Sequence, residues 1–134
     1  MATGPVLSNP DTLAAPLGAY SHVSRAGDTV YVAGQVGVLP SGEMAGDDVA
    51  SQARQAYHNV RLALESEGLT LAHVAKVTTY LVNGDDLAGF FAARDVLFPE
   101  LFPDGKYPPN TLLVIDRLAA PGIKIEIEAI AYGA

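Results

Sequence analysis

The stretch that most limits what this chain can fold into is KIEIEAIAY, Lys124–Tyr132. Ile125 and Ile127 alternate with Glu126 and Glu128. Successive side chains of a strand point to opposite faces, so this is the pattern of a half-buried strand with one apolar and one carboxylate-bearing face. Upstream, Tyr107 opens a segment that begins with two prolines and turns apolar, then breaks at Ala119–Gly122. The spacing therefore predicts two strands near the end of the chain. Alternation alone leaves open whether the two carboxylates face bulk water or a ligand.

The remaining elements follow from punctuation and period. Residues 1–18 hold three prolines and two glycines with weak periodicity and read as an extended lead-in. Tyr20–Arg25 and Thr29–Gln35 read as strands joined by a turn at Ala26-Gly27-Asp28. Gly34 and Gly37 fall within or just after the second strand, and glycine there signals a bulge or a close approach to another group. Leu39–Gly46 is turn-rich. Asp47 or Asp48 caps a helix reaching about Glu67, with Val49, Ala53, Ala56, Val60 and Ala63 on one stripe and Gly68 as its stop. His73–Val82 is rich in strand-forming residues. Asn83-Gly84-Asp85 turns the chain, and Asp85 or Asp86 caps a second helix from about Leu87 to Leu97, which Pro99 and Pro103 keep from extending. The order strand, strand, helix, strand, helix, strand, strand predicts an α+β layer with both helices on one face of a sheet. No repeat or boundary divides residues 1–134, which read as a single domain.

Composition narrows the function classes. Of the 134 residues, 49% are hydrophobic and 17% charged, too few charges to cover a monomer. Burial of apolar surface between subunits is expected. The net charge of −7, without a run of Lys or Arg, counts against nucleic acid or an anionic membrane as partner. There is no Cys, which excludes disulfides, thiolate metal sites and a cysteine nucleophile. MATGPVLSNPDTLAAP lacks the basic start and apolar core of a signal peptide, and no apolar run spans a bilayer. A cytoplasmic setting is expected.

Few residues stand out as chemistry. His22, His58 and His73 have no metal-ligand spacing and read as packed or solvated. Gly34-Gln35-Val36-Gly37 does not precede a helix, so it is not a phosphate loop. Glu126 and Glu128 read either as a solvated face or as a face on which one carboxylate orients a water. Arg94, in the apolar segment FFAARDVLF, either snorkels, pairs with Asp95 or Asp86, or holds a ligand carboxylate.

Taken together, these segments carry a resemblance. Gly18-Ala19-Tyr20-Ser21, Val32-Ala33-Gly34-Gln35-Val36, Gln52 through Asn59, Glu67-Gly68, Val74-Ala75-Lys76-Val77-Thr78-Thr79-Tyr80-Leu81, Pro109-Asn110-Thr111 and Glu126-Ile127-Glu128-Ala129-Ile130-Ala131 occur in that order. The chain resembles, over nearly its whole length, the Rid proteins (reactive intermediate deaminases), also called YjgF-type or L-PSP endoribonuclease-like. No single segment is specific; the order and spacing are.

The resemblance implies a chorismate-mutase-like α+β fold with a mixed sheet. It implies a homotrimer around a central barrel, with a small-molecule cleft at each subunit interface. It also implies hydrolysis of enamines and imines to carbonyl compounds and ammonia, as by 2-iminobutanoate/2-iminopropanoate deaminases, with no metal or cofactor. The family's cleft tyrosine matches Tyr20, its backbone donor Gly34, and its water-positioning carboxylate Glu126. Its serine before that donor is Ala33 here. Its substrate-gripping arginine stands in a motif that reads Pro108-Pro109-Asn110-Thr111 in this chain, so Asn110 takes that place. The family's helix asparagine falls near Arg94 or Asp95, which makes Arg94 a candidate to supply the missing guanidinium. The alternatives are a non-catalytic metabolite-binding or interaction module, motivated by Asn110, and an endoribonuclease, against which the acidic balance counts.

Overall fold

The computed structural model describes residues 3–134, so the first two residues of the expected N-terminal lead-in lie outside it. The elements are β1 (Val6–Ser8), β2 (Val23–Ala26), β3 (Thr29–Val36), α1 (Val49–Glu65), β4 (Val74–Leu81), α2 (Leu87–Leu101), β5 (Asn110–Val114) and β6 (Ile125–Tyr132). They form a six-stranded sheet in the order β1-β2-β3-β6-β4-β5. β4 and β5 run parallel and the other neighbours antiparallel, so the sheet is mixed.

β6 lies between β3 and β4, and the alternation in KIEIEAIAY sorts its side chains as expected. Ile125, Ile127, Ala129 and Ala131 are buried, Glu126 and Glu128 are half-buried, and Ile130 and Tyr132 are exposed. The buried side meets α1, which also covers β3, and α2 packs against α1. Val30, Leu64, Leu81 and Phe90 complete the core between the helices and the sheet.

α1 begins at Asp48, whose Oδ2 accepts from the Ser51 backbone N–H at 2.9 Å. The chain leaves it through Gly68 at φ +73°. Gln52, buried on the inner stripe, fixes the start of β6. Its Nε2 donates to the Gly46 and Gly122 carbonyls, both at 3.0 Å, and its Oε1 accepts from the Lys124 N–H at 2.8 Å. Leaving those groups unpaired would cost about 1–3 kcal/mol each. A Cβ on Gly37 would stand 2.5 Å from the Gln52 Cα, which is the close approach the sequence signalled.

Four local expectations are corrected. The lead-in contains β1, paired antiparallel with β2, a strand too short between Pro5 and Pro10 to show a period. β2 begins at Val23 rather than Tyr20, because a side chain takes the preceding backbone donor: the His22 N–H donates to Asn9 Oδ1 at 2.8 Å. Asp86 holds the N-cap position of α2, one of the two expected there, but its side chain makes no capping bond; Asn83 caps the 3-10 turn Gly84–Asp86 before it, its Oδ1 accepting from the Asp85 N–H at 2.9 Å. α2 runs through Pro99 to Leu101. Proline removes one backbone donor there, but aromatic packing holds the last turn, with Phe98 5.4 Å from Tyr57, 5.1 Å from Phe102 and 5.7 Å from Tyr107.

Candidate functional site

The candidate residues fall into two groups on opposite faces of the sheet. The first surrounds Glu126. Its backbone partners are Val36 on β3 and Tyr80 on β4. The β3–β6 register shifts between Val32 and Gln35, a bulge that leaves Ala33 and Gly34 without partners on β6. The Glu126 carboxylate lies over Gly34, where an added Cβ would stand 2.0 Å from Oε1 and 2.9 Å from Cγ. Glycine therefore makes room for the acid. Burial first, and the Glu128 charge second, push the Glu126 carboxyl above its ordinary range. One Glu128 oxygen accepts from the Tyr80 hydroxyl at 2.6 Å.

Tyr20 stands beside this group. Its exposed ring lines a cavity of about 620 Å³ with Ala33 and Glu128. It also lines one of about 360 Å³ with Gly34 and His22. The ring rests edge-on against buried His22, 5.9 Å between centroids. Gln35 Nε2 donates to His22 Nδ1 at 3.1 Å, so the ring proton sits on Nε2 and donates to the Ala14 carbonyl at 2.7 Å. His22 is thus a fixed prop for Tyr20, the packed role expected of it. The Ala33 N–H donates to the His22 carbonyl at 2.9 Å, tying the bulge to the same prop.

The second group lies on the helix side. Asn110 is the register partner of Val77, and its Oδ1 accepts from the Thr79 hydroxyl at 2.8 Å. Val77 and Thr79 are buried beneath the helices, so the Asn110 side chain is on their side of the sheet. Arg94 lines the same cavity as Asn110, about 510 Å³ in volume, together with Tyr57, Phe98 and Tyr107. Its guanidinium lies 4.7 Å from the centre of the Phe91 ring. The expected pairing with Asp95 or Asp86 is absent among the described residues.

Within one protomer the structure brings Tyr20, Ala33, Gly34 and Glu126 together, and separately Arg94 and Asn110. It does not join the two groups, because β4 lies between β5 and β6 and the two sets project from opposite faces. Sequence reading missed Tyr57 altogether. The one available signal was a polar-tipped ring on the buried stripe of α1, which also carries Gln52 and Asn59. Among the described residues no group of three or more His, Cys, Asp or Glu is placed to hold a metal ion. Among the described residues no helix is long and apolar enough to cross a membrane.

Comparison with known proteins gives the family. The family profile described as Endoribonuclease L-PSP matches residues 12–133. A RutC family protein of Pyrococcus horikoshii is 37% identical over 118 residues, covering 87% of this chain and 89% of that one. The 2-iminobutanoate/2-iminopropanoate deaminase of Escherichia coli is 32% identical over 117 residues, with 87% and 89% covered. The crystal structure of E. coli TdcF with bound serine superposes with a TM-score of 0.86 at 28% identity, covering 96% of this chain and 99% of that one. On the extent of the profile match and these identities, the chain belongs to the Endoribonuclease L-PSP family, the YjgF or Rid family.

Proposed function

We propose that this chain is a single-domain Rid protein that hydrolyses C=N bonds of small imines at clefts between the subunits of a homotrimer. Tyr20, Ala33, Gly34 and Glu126 come from one protomer, and Asn110 with Arg94 from its neighbour. The observation that carries the reading is the Glu126 carboxylate, half-buried over Gly34 and held above its ordinary pKa range. A carboxylate shifted toward neutrality is better matched to proton transfer near neutral pH. The assembly is supported by the outer sheet face, where Tyr31 is 47%, Ile130 37% and Tyr132 64% exposed. Apolar surface of that kind is the kind a second copy covers. A cytoplasmic setting is part of this reading.

The chemistry balances on Glu126 alone. The carboxylate accepts a proton from water as the water oxygen bonds to the iminium carbon, and the C=N pair moves onto nitrogen. The acid returns that proton to nitrogen. It then takes the hydroxyl proton as the carbonyl forms and the C–N bond breaks, and passes it to the departing ammonia. The net reaction is iminium plus water to carbonyl plus ammonium. Asn110 and the Gly34 backbone hold the ligand's polar end.

The test couples an amino-acid oxidase to the purified protein and follows imine decay. Acceleration that drops about 10²–10⁴-fold in Glu126→Gln supports the reading. No acceleration across several imine side chains overturns it in favour of a binding module, the reading that Asn110 in place of an arginine favours.

A further inference from the structure

The room that Gly34 leaves for Glu126 has a conformational consequence. The bulge gives Ala33 and Gly34 no register partner on β6. A flip of the Ala33–Gly34 peptide needs a large change of φ at residue 34, which glycine permits and other residues resist. That peptide can therefore turn over unless something else holds it. Gln35 holds it. Its Nε2 donates to the Ala33 carbonyl at 3.0 Å and to His22 Nδ1 at 3.1 Å, which uses both amide hydrogens. His22 is fixed in turn, its Nε2 donating to the Ala14 carbonyl at 2.7 Å. The hydrogen bonds run one way, from Gln35 through the imidazole to Ala14. Turning the Gln35 amide over would set its oxygen against the Ala33 carbonyl, so their direction does not reverse locally. Both side chains are buried, Gln35 4% and His22 7% exposed.

A trans peptide is planar, so its carbonyl and its N–H point in opposite directions. With the Ala33 oxygen drawn to the Gln35 amide, the Gly34 N–H points away from the buried pair. On the other side of the residue, the Ala33 N–H donates to the His22 carbonyl at 2.9 Å. We propose that Gln35 and His22 are positioning residues that lock the Ala33–Gly34 peptide, so that the Gly34 N–H meets the ligand as a fixed donor. The inference rests on the proposed function in taking Gly34 as a ligand contact. It goes further in assigning the direction of that donor to two side chains behind the bulge. His22 also meets the Tyr20 ring edge-on, so one imidazole sets both the backbone donor and the tyrosine beside it.

The experiment combines amide-nitrogen relaxation dispersion at Gly34 with the imine-decay assay, on the wild type, Gln35→Met, His22→Gln and His22→Leu. Methionine keeps the length of glutamine without its amide. Glutamine at position 22 offers both an acceptor and a donor, and leucine neither. The Gly34 amide should be free of microsecond-to-millisecond exchange in the wild type and in His22→Gln. In Gln35→Met and His22→Leu, exchange should appear at Ala33–Gln35 while the rest of the sheet stays quiet. KM should rise about tenfold in Gln35→Met and several-fold in His22→Leu, with kcat held within about threefold. His22→Gln should keep the wild-type KM within about twofold. A quiet Gly34 amide in Gln35→Met overturns the inference, as do equal KM values in His22→Gln and His22→Leu. If Gln35→Met does not fold, the two His22 variants decide by the same criteria. Imine hydrolysis that needs Glu126 but keeps its KM in Gln35→Met would overturn this inference and leave the proposed function standing. Exchange at Gly34 in Gln35→Met, with no imine hydrolysis by the wild type, would overturn the proposed function and leave the lock standing.

Discussion

The two faces of the sheet solve the problem of a buried charge in different ways. On the outer face, Glu126 is half-buried over a glycine with a second carboxylate two residues along, and everything around it raises its proton affinity. On the helix side, Arg94 keeps its charge beside an aromatic ring, with a tyrosine hydroxyl and an amide sharing its cavity. The first region carries two carboxylates, with Lys76 among the residues that line its cavity. The second carries a guanidinium and an amide, with Asp95 on the same cavity wall. The sheet keeps the two regions apart within one protomer. On the proposed reading, chemistry on the outer face depends on assembly.

The widest separation between the regions comes from charging the outer face. Ile130→Asp should dissociate the assembly and lower turnover by about 100-fold or more, since an unpaired buried carboxylate opposes association. Sedimentation and imine decay read the two quantities, and dissociation without loss of turnover would break the comparison.

A smaller but sharper effect is expected of Gly34→Ala. The new methyl would occupy the space of the Glu126 carboxylate. Because that is the end of a flexible side chain, the acid swings aside and the fold stays. Turnover should fall toward that of Glu126→Gln, by about 100-fold, with little change in melting temperature. Full activity in this variant would detach Glu126 from the chemistry.

pH dependence tests the electrostatics of the outer face alone. As a base Glu126 must be ionised, so the rate falls as pH drops through its raised pKa, above the ordinary value of about 4.3. Glu128→Gln removes the second cause of the shift and leaves burial, so the acid limb of the rate profile should move to lower pH without reaching the ordinary value. A limb that stays put or moves up contradicts this.

The smallest effect is on stability. A carboxylate whose folded pKa is raised costs nothing below its unfolded pKa. The cost grows as pH rises and is complete above the folded value. Glu126→Gln should therefore melt at the same or a slightly higher temperature at pH 7, and the difference should vanish near pH 4. Thermal scans at both pH values check this; a lower melting temperature at pH 7 would mean the carboxylate stabilises the fold.

Much of the architecture was legible in the chain. The stripe of α1, its Asp48 cap and Gly68 stop, β4 and the alternation of β6 are local patterns with one sterically sensible outcome. β1 was not legible, because three residues between prolines carry no period and gain strand geometry only from β2. The passage of α2 through Pro99 was hidden for the same reason, since Phe98, Phe102 and Tyr107 make their contacts only after folding. For the candidate site, family resemblance picked out Tyr20, Ala33, Gly34, Asn110 and Glu126, and Arg94 as a possible cation. It gave no sign that they divide between two faces, and Tyr57 was indistinguishable from core.

The sequence by itself determined which side of β6 is apolar, that Glu126 projects from the other side, and that Gly34 and Gly37 receive something close. Period and the lack of a side chain decide such matters locally. Tertiary structure decided what approaches Gly34, that Asn110 leans on Thr79 beneath the helices, and that Arg94 and the Tyr57 hydroxyl share a cavity. Those are relations between elements far apart in the chain, fixed by strand order and helix packing, and no local pattern encodes them.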